Sequence, residues 1–530
     1  MRQKMRTLIA IIIFLAASPL FAQKEEKVLP LSLEECIQKT LKNNLGLALE
    51  SLSPEIADLS VSLANEKFMP ELALNYNKQD TRSASYSFLD AEQTVATLQN
   101  DYSAQIFQLL PTGGTFSLGV TGYRTDTNRR GITINPRYGN TIRFTFSHPL
   151  LKDSGFKMTR RDIILAQNNR DISEMNFDKA LEDTLFTAVS AYWNLVYSME
   201  NLKVRRQSLK LAEELLEKNR AEVEAGTLAP IEILTAQADV ATRQADILEA
   251  EAMVKNSEDL LKTIINLPAE RDDASEVRLV PSDSPSVAKE DISLEKALQT
   301  AMDNRPDLQA ARIQLKNSEL NLSYARNQLF PDLRLQASYW SPGVSGDQIL
   351  YEGGNALTGK IIGRIPGASS DAFRDAVHFK YKNWSAGLTL TFPLNNVLSR
   401  ALYAQAKLNL EQAQLRIKNE EQQIFLEVKT AVRAVETNAQ RVEAYKAARE
   451  LAEKKLEAEE EKFKVGLSTN YFILQYQRDL RNAQIMELRA IVDYNISLAN
   501  LKRVQGKGLN KQYLAALKDS SSSPKLESLD

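Results

Sequence analysis

Ser32-Leu33-Glu34-Glu35-Cys36, running on to Asn43, and Ser293-Leu294-Glu295-Lys296-Ala297, running on to Asn304, are one phrase written twice. The match continues without a gap to Phe68-Met69-Pro70-Glu71-Leu72 against Leu329-Phe330-Pro331-Asp332-Leu333. Further on, Phe146-Ser147-His148-Pro149-Leu150 answers Leu390-Thr391-Phe392-Pro393-Leu394, and Val223-Glu224-Ala225-Gly226-Thr227-Leu228 answers Phe463-Lys464-Val465-Gly466-Leu467-Ser468. The landmarks keep the same order in both halves, so an internal duplication decides the architecture before any residue chemistry is considered. Each half reads as helix, strand, loop, strand, long helix, glycine turn, helix.

The first repeat is predicted over 23–267, with helices near 32–68, 156–225 and 230–265 and strands within about 70–149. A linker follows over 268–292. The second repeat is predicted over 293–505, with helices near 293–329, 398–465 and 469–504 and strands near 331–340 and 379–393. The tail, 506–530, holds one short amphipathic stretch, Lys511 to Leu517, and is otherwise polar and expected to be largely disordered.

A chain of 530 residues with 43% hydrophobic and 25% charged residues and only 20 glycines is a folded, helix-rich protein. Its formal net charge of -2 argues against a nucleic-acid binder. Arg2, Lys4 and Arg6 precede an apolar run from Leu8 to Leu15 and a small-residue end at Ala22, which predicts a signal peptide over 1–22 and a mature start at Gln23. Cys36 is the one cysteine and lies well past that site, so neither a diacyl anchor nor a disulfide framework follows from it. It reads as a small buried hydrophobe.

After residue 22 no apolar run is long enough for a membrane-spanning helix, but strands can still cross a membrane. Ile142, Phe144 and Phe146 alternate with Thr141, Arg143, Thr145 and Ser147; Trp384, Ala386, Leu388, Leu390 and Phe392 alternate with Ser385, Gly387, Thr389 and Thr391. Leu72, Leu74, Tyr76 and Leu333, Leu335, Ala337, Tyr339 repeat the pattern. A barrel wall between lipid and water demands this period of two, and so does an amphipathic sheet on a soluble core. Two hairpins give four clear strands, and Tyr102 to Leu109 with Thr115 to Tyr123, about the Pro111-Thr112-Gly113-Gly114 turn, raise the number to about six at most. Single-chain barrels need about eight, so strands in a membrane would have to be shared among several chains. Asp126 to Gly139 and Ser341 to Val377, rich in glycine, proline and polar residues, are predicted as external loops.

From Thr159 to Ala225 and from Leu398 to Val465 there is neither proline nor glycine, so each stretch can run as one helix of roughly 100 Å. Val428, Val432, Val435, Ala439 and Val442 step by 4, 3, 4, 3, the seam of a coiled coil, and Leu209, Leu216 and Val223 keep a seven-residue beat beside Ala212. Ala236, Ala238, Ala241, Ala245, Ala250 and Ala252 allow close helix approach. Gly226 and Gly466 then read as helix C-caps, with Leu228, Leu467, Tyr471 and Phe472 as apolar neighbours at an exposed tip.

Together these landmarks resemble the TolC-like outer-membrane efflux protein family over essentially the whole mature chain. The residues that carry the likeness are Leu294-Glu295-Lys296-Ala297-Leu298 running into Asn304-Arg305-Pro306-Asp307-Leu308, Phe330-Pro331-Asp332-Leu333, Pro149-Leu150-Leu151, Ala191-Tyr192-Trp193 and Val465-Gly466-Leu467-Ser468. The resemblance implies a mainly α protein with membrane β. The duplicated helix-strand-strand-helix repeat would form a trimeric, shared outer-membrane β-barrel of about 12 strands, continued by a long periplasmic α-helical coiled-coil tunnel. It implies the outer-membrane channel subunit of a tripartite efflux pump, a passive exit duct, or alternatively the exit duct of a type I protein secretion system. Its partners would be further copies of itself, a periplasmic adaptor, an inner-membrane transporter and outer-membrane lipid, with no cofactor.

In that family the tip glycine motif looks like an adaptor-docking element, which falls here on Gly226, Thr227 and Leu228 and on Val465, Gly466, Leu467 and Ser468. Well-known members narrow the pore with acidic residues six and nine positions after the second tip glycine; this chain has Phe472 and Gln475 there. Glu232 could supply one carboxylate, and the pore constriction is expected from Glu232, Tyr471, Phe472 and Gln475, with an apolar narrowing that blocks ions by dewetting. The plain alternative is that Phe472 packs between helices.

His148 and His378 have no partner at metal-ligand spacing, no Walker-type glycine loop is present, and no nucleophile, base and oxyanion set can be assembled, so no enzyme is expected. The run Glu457, Glu459, Glu460 and Glu461 among lysines reads as a solvated helix face. A rival of another class is a periplasmic coiled-coil scaffold whose strands form a soluble sheet.

Overall fold

The computed structural model describes residues 28–85, 93–129, 131–267, 277–287, 292–356 and 360–507. The predicted signal peptide, parts of the linker and the tail from residue 508 on lie outside them. In chain order the elements are β1 (Val28–Leu31), α1 (Leu33–Asn43), α2 (Leu45–Glu66), β2 (Glu71–Ala84), β3 (Thr94–Leu109), β4 (Thr115–Thr127), β5 (Ile134–Pro149), α3 (Phe156–Thr159), α4 (Arg161–Glu224) and α5 (Ile231–Ile264). The second half follows as β6 (Arg278–Pro281), α6 (Leu294–Asn304), α7 (Pro306–Asn327), β7 (Asp332–Tyr351), β8 (Ile361–Ile365), α8 (Ser369–Val377), β9 (Asn383–Thr391), α9 (Val397–Lys464) and α10 (Asn470–Val504). The duplication is plain in this order, and α4 and α9, of 64 and 68 residues, run without a break as the absence of proline and glycine requires.

The expected single helices over 32–68 and 293–329 are each broken once. Asn44 is extended (ψ 119°), and its side chain does two jobs there: Oδ1 accepts from Leu47 N–H at 2.9 Å and Nδ2 donates to the Ile264 carbonyl at 2.8 Å. Arg305 is extended (ψ 123°) because the next residue is Pro306, whose ring disfavours a helical predecessor and fits the first helical position. The sharpest run of the sequence, Asn304-Arg305-Pro306-Asp307-Leu308, is therefore a helix break. Its Arg305 is buried and ion-paired with Glu427 of α9.

The chain divides into two compact units, one of Met1–Glu50, Asp178–Pro306 and Glu421–Asp530, the other of Ser51–Phe177 and Asp307–Glu420. In the first, β1 and β6 pair in parallel, and the core gathers Leu31, Cys36, Tyr192, Leu195, Leu261 and Leu279, all essentially inaccessible. The Tyr192 hydroxyl donates to Asp283 Oδ2 at 2.8 Å, and that carboxylate also accepts from Leu33 N–H at 2.6 Å, so Tyr192 of the Ala191-Tyr192-Trp193 motif ties the start of α1 to the linker. Burial pushes the Cys36 thiol up to about 11, which makes it inert packing, as read from sequence. Val428, Val432, Val435 and Val442 are buried, so the predicted seam on α9 is a packed one.

The second unit holds a seven-stranded antiparallel sheet in the order β2-β3-β4-β5-β7, with β9 and the short β8 one after the other along the far edge of β7, β9 on Asp332–Trp340 and β8 on Gln348–Tyr351. The Tyr102–Leu109 and Thr115–Tyr123 pair is thus part of this sheet, longer than expected. It stands between β2 and β5, which do not pair with each other. Ser341 to Val377, expected as a loop, instead extends β7 to Tyr351 and adds β8 and α8. Pro342 is tolerated because it pairs with Thr141 on one side only; the last β9 pair on its other side is Trp340 with Asn383. Asp126 to Gly139 likewise shrinks to a short connection between β4 and β5.

The registers bring side chains into rows. Leu72, Ile106, Leu118, Phe144, Tyr339 and Trp384 lie side by side across β2, β3, β4, β5, β7 and β9 on one face. One residue along, Glu71, Phe107, Ser117, Thr145, Ser338 and Ser385 form a row on the other. The first face is apolar over successive rows, and much of it is bare: Leu74, Trp384 and Leu388 are exposed. On that same face α8 presents Ala372 and Ala376 to the sheet, where a side chain at Gly343 would strike the Ala372 carbonyl. Phe379, just past α8, stacks on Tyr339 (5.5 Å) and Phe144 (6.2 Å). Among the described residues no helix is long and apolar enough to cross a membrane.

Candidate docking tip and gate

Two turns close the helical hairpins of the first unit, and they are built alike. Gly226 after α4 and Gly466 after α9 both take φ 74°. The next amide reaches back in each, Thr227 N–H to the Glu222 carbonyl and Leu467 N–H to the Lys462 carbonyl, both at 2.9 Å. This is the Schellman closure of a helix end. A methyl group at either glycine would meet nothing within 4 Å, so the left-handed backbone, and not crowding, asks for glycine there.

Leu215 on α4 packs with Phe463 on α9 and Ile473 and Leu474 on α10, and the Lys218 ammonium stands 4.5 Å over the Phe463 ring. Both turns therefore lie at the same end of this unit. Gly226, Thr227, Val465, Gly466 and Leu467 are exposed there, Leu467 at 78%. Leu228, expected to be bare, is half-buried. Ser468 is tied down: its hydroxyl donates to Glu459 Oε1 at 2.6 Å while Lys462 Nζ donates to Oε2 at 3.0 Å. Those two donors, Ser468 first, hold the Glu459 carboxyl below the usual carboxylate range. Glu459 is buried, unlike Glu457, Glu460 and Glu461, so the solvated reading of that run fails at this one position.

At the start of α10, Ile473 and Leu474 are buried while Tyr471 and Phe472 stay exposed, edge to face at 5.5 Å. Gln475 and Glu232 are half-buried. Within one chain, then, Phe472 is not consumed by packing between helices. The sequence offers no signal for what lies just behind it. Arg243 of α5, only 2% exposed, donates from Nη1 to the Ser208 carbonyl (2.6 Å) and hydroxyl (2.9 Å) of α4 and from Nη2 to Gln477 Oε1 of α10 (3.2 Å), with Asp239 2.6 Å from its Nε. Burial lowers the affinity of this guanidinium for its proton, and Asp239 opposes that. One turn further along, Arg481 of α10 pairs with Asp246 of α5 at 3.0 Å, and Arg449 of α9 with Glu487 of α10 at 2.6 Å. α10 is thus fastened to α5 and α9 by polar bonds as well as by the packing of Ile473 and Leu474.

Among the described residues, α2 and α5 each carry a bare apolar or small-residue stripe. On α2, Leu45, Leu49, Leu52, Ile56, Leu59 and Leu63 step by 4 and 3 and are all exposed, and on α5 Leu234, Ala238, Ala241, Ala245, Leu248 and Ala252 do the same. Seams of this period are closed by another helix. Among the described residues no group of His, Cys, Asp and Glu is placed to hold a metal ion.

Residues 297–507 match the family described as outer membrane efflux protein. The chain is similar to nodulation protein T of Rhizobium leguminosarum bv. trifolii, with 23% identity over 81% of this chain and 85% of that protein. Its fold is that of the CmeC outer membrane channel of Campylobacter jejuni (TM-score 0.64, 17% identity, 93% of this chain and 90% of that one). The open state of the MtrE outer membrane channel of Neisseria gonorrhoeae is also similar (TM-score 0.60, 20% identity, 90% of each chain). The likeness to outer-membrane efflux proteins read from the ordered landmarks is borne out, by sequence over most of the second repeat and by fold over nine-tenths of the chain.

Proposed function

From a chain with the fold of outer-membrane channels and an outer membrane efflux protein match in its second repeat, we propose the outer-membrane channel subunit of a tripartite efflux pump. Three copies share one barrel, and their helices line a periplasmic tunnel. The tip residues Gly226, Thr227, Leu228, Val465, Gly466, Leu467 and Ser468 meet a periplasmic adaptor that joins the duct to an inner-membrane transporter, and no reaction is catalysed along the way.

The sheet carries this reading most of the weight. It has one apolar and one polar face, as a wall between lipid and water must, yet its strands are too few to close and leave β2 and β9 as free edges. Those edges and the bare seams of α2 and α5 are the surfaces that further copies would cover. At the tip, Tyr471 and Phe472 of three chains, converging on one axis, form a narrowing that sheds water.

The test of docking is site-directed crosslinking in intact cells. Leu467→Cys, in a Cys36→Ala background, should capture a periplasmic adaptor identified by mass spectrometry, together with its inner-membrane pump. Capture of nothing but other copies of the same chain, in cells that express adaptors, would contradict it.

A further inference from the structure

A trimeric barrel of twelve strands would use four strands from each chain. This chain lays six in one continuous register, β2, β3, β4, β5, β7 and β9. We propose that the β3–β4 hairpin is part of the barrel wall, so that three copies close eighteen strands around a wide polar lumen suited to bulky hydrophilic cargo. This rests on the channel reading given above and departs from the twelve strands that the family resemblance implies.

Three observations support it. First, the hairpin cannot be lifted out of the sheet: among the described residues β2 is paired only with β3, over its full length from Glu71 to Ala84, so taking the hairpin away leaves β2 unpaired there. Second, the hairpin follows the same division of faces at the same level as its neighbours. Ile106 and Leu118 continue the apolar row between Leu72 and Phe144, while Ser103 and Thr121 stand on the polar face beside Asn75 and Thr141. A flap lying over the mouth or in the periplasm has no reason to keep a lipid-matched face in step with the wall. Third, the hairpin is locked from its apolar side. The Tyr102 ring occupies the space where a side chain at Gly122 would sit, and its hydroxyl donates to Asn140 Oδ1 of β5 at 2.9 Å.

Closure also works. The strands alternate in direction from β2 to β9, so with six in the series the free edges run oppositely, and β9 of one copy can pair antiparallel with β2 of the next. With strands about 4.8 Å apart and tilted about 40°, eighteen strands give a ring of roughly 36 Å across the backbone against roughly 24 Å for twelve.

The experiment places a bimane label on single cysteines in the Cys36→Ala protein, reconstituted in phospholipid vesicles with or without nitroxide lipids. Val120→Cys and Thr121→Cys test β4; Ile142→Cys and Thr141→Cys report on β5. Nitroxide lipid should quench positions 120 and 142, while aqueous iodide should quench 121 and 141. If both β4 positions answer to iodide while the β5 pair still alternates, the hairpin is outside the wall and the proposal is overturned. Loss of alternation on β5 as well would instead sink the channel reading on which it rests. Neutral polymers too wide for a twelve-stranded lumen should enter from the outer side and lower single-channel current; their exclusion would overturn the wider lumen.

Discussion

Leu388→Arg should strip the protein from the outer membrane, while Ser385→Arg, on the same strand, should leave it there. Leu388 stands near the middle of the apolar face of β9, beside Leu335, and is 65% exposed in the single chain. In a membrane wall that exposure is to lipid, where an arginine near the midplane costs about 2–4 kcal/mol. That corresponds to roughly a 30- to 1,000-fold drop in the folded-to-unfolded ratio for each chain. Ser385 pairs with Ser338 on the polar face, where a new cation meets water. Membrane fractionation and denaturant unfolding in lipid vesicles read the difference. A soluble sheet packed through its apolar face would also reject Leu388→Arg, but it would stay out of the membrane fraction in every form, and that result would contradict the account.

Arg243→Ala should loosen the tip end of the first unit by about 3–5 kcal/mol, the cost of leaving one member of a buried ion pair alone. The substitution removes two bonds to Ser208 and one to Gln477 and leaves the mostly enclosed Asp239 carboxylate without its cation. Gln477→Ala, which deletes a single 3.2 Å bond to a charged donor, should cost about 1.5–3 kcal/mol or less. The double substitution Arg243→Met with Asp239→Leu should recover most of the loss, because apolar residues of similar volume replace a buried ion pair at little cost. Limited proteolysis of α5 and denaturant midpoints separate the three. An unchanged midpoint in Arg243→Ala would show that α10 is held by its apolar contacts alone.

Much of this molecule could be read from its residues because the duplication supplied each element twice. The helix ends at Gly226 and Gly466 and the whole run of α9 lie within a residue of the reading, since proline and glycine punctuate a chain so strongly, whereas the helix read from 156 is broken at Arg160 into α3 and α4. The breaks at Asn44 and Arg305 were harder. Pro306 marks the second in plain sight, while at Asn44 the extended backbone is held by its own side chain bonding to Ile264, a partner far along the chain. β7 beyond Trp340 and the helix α8 were hidden by glycine and proline, which read as loop until Gly343 is seen to make room for Ala372. The tip turns were legible, but the polar fastening behind them was not. Arg243, Ser208 and Gln477 come from three helices, and nothing in their local sequence distinguishes them from surface residues.

Single-channel recording of the detergent-purified protein in planar bilayers decides whether these strands form a channel through a membrane. The wild-type protein should add discrete current steps of one size, and Phe472→Ala should add larger ones as the aromatic narrowing is removed. A protein that stays in solution without detergent and adds no current in either form would contradict the channel and leave a periplasmic scaffold in its place.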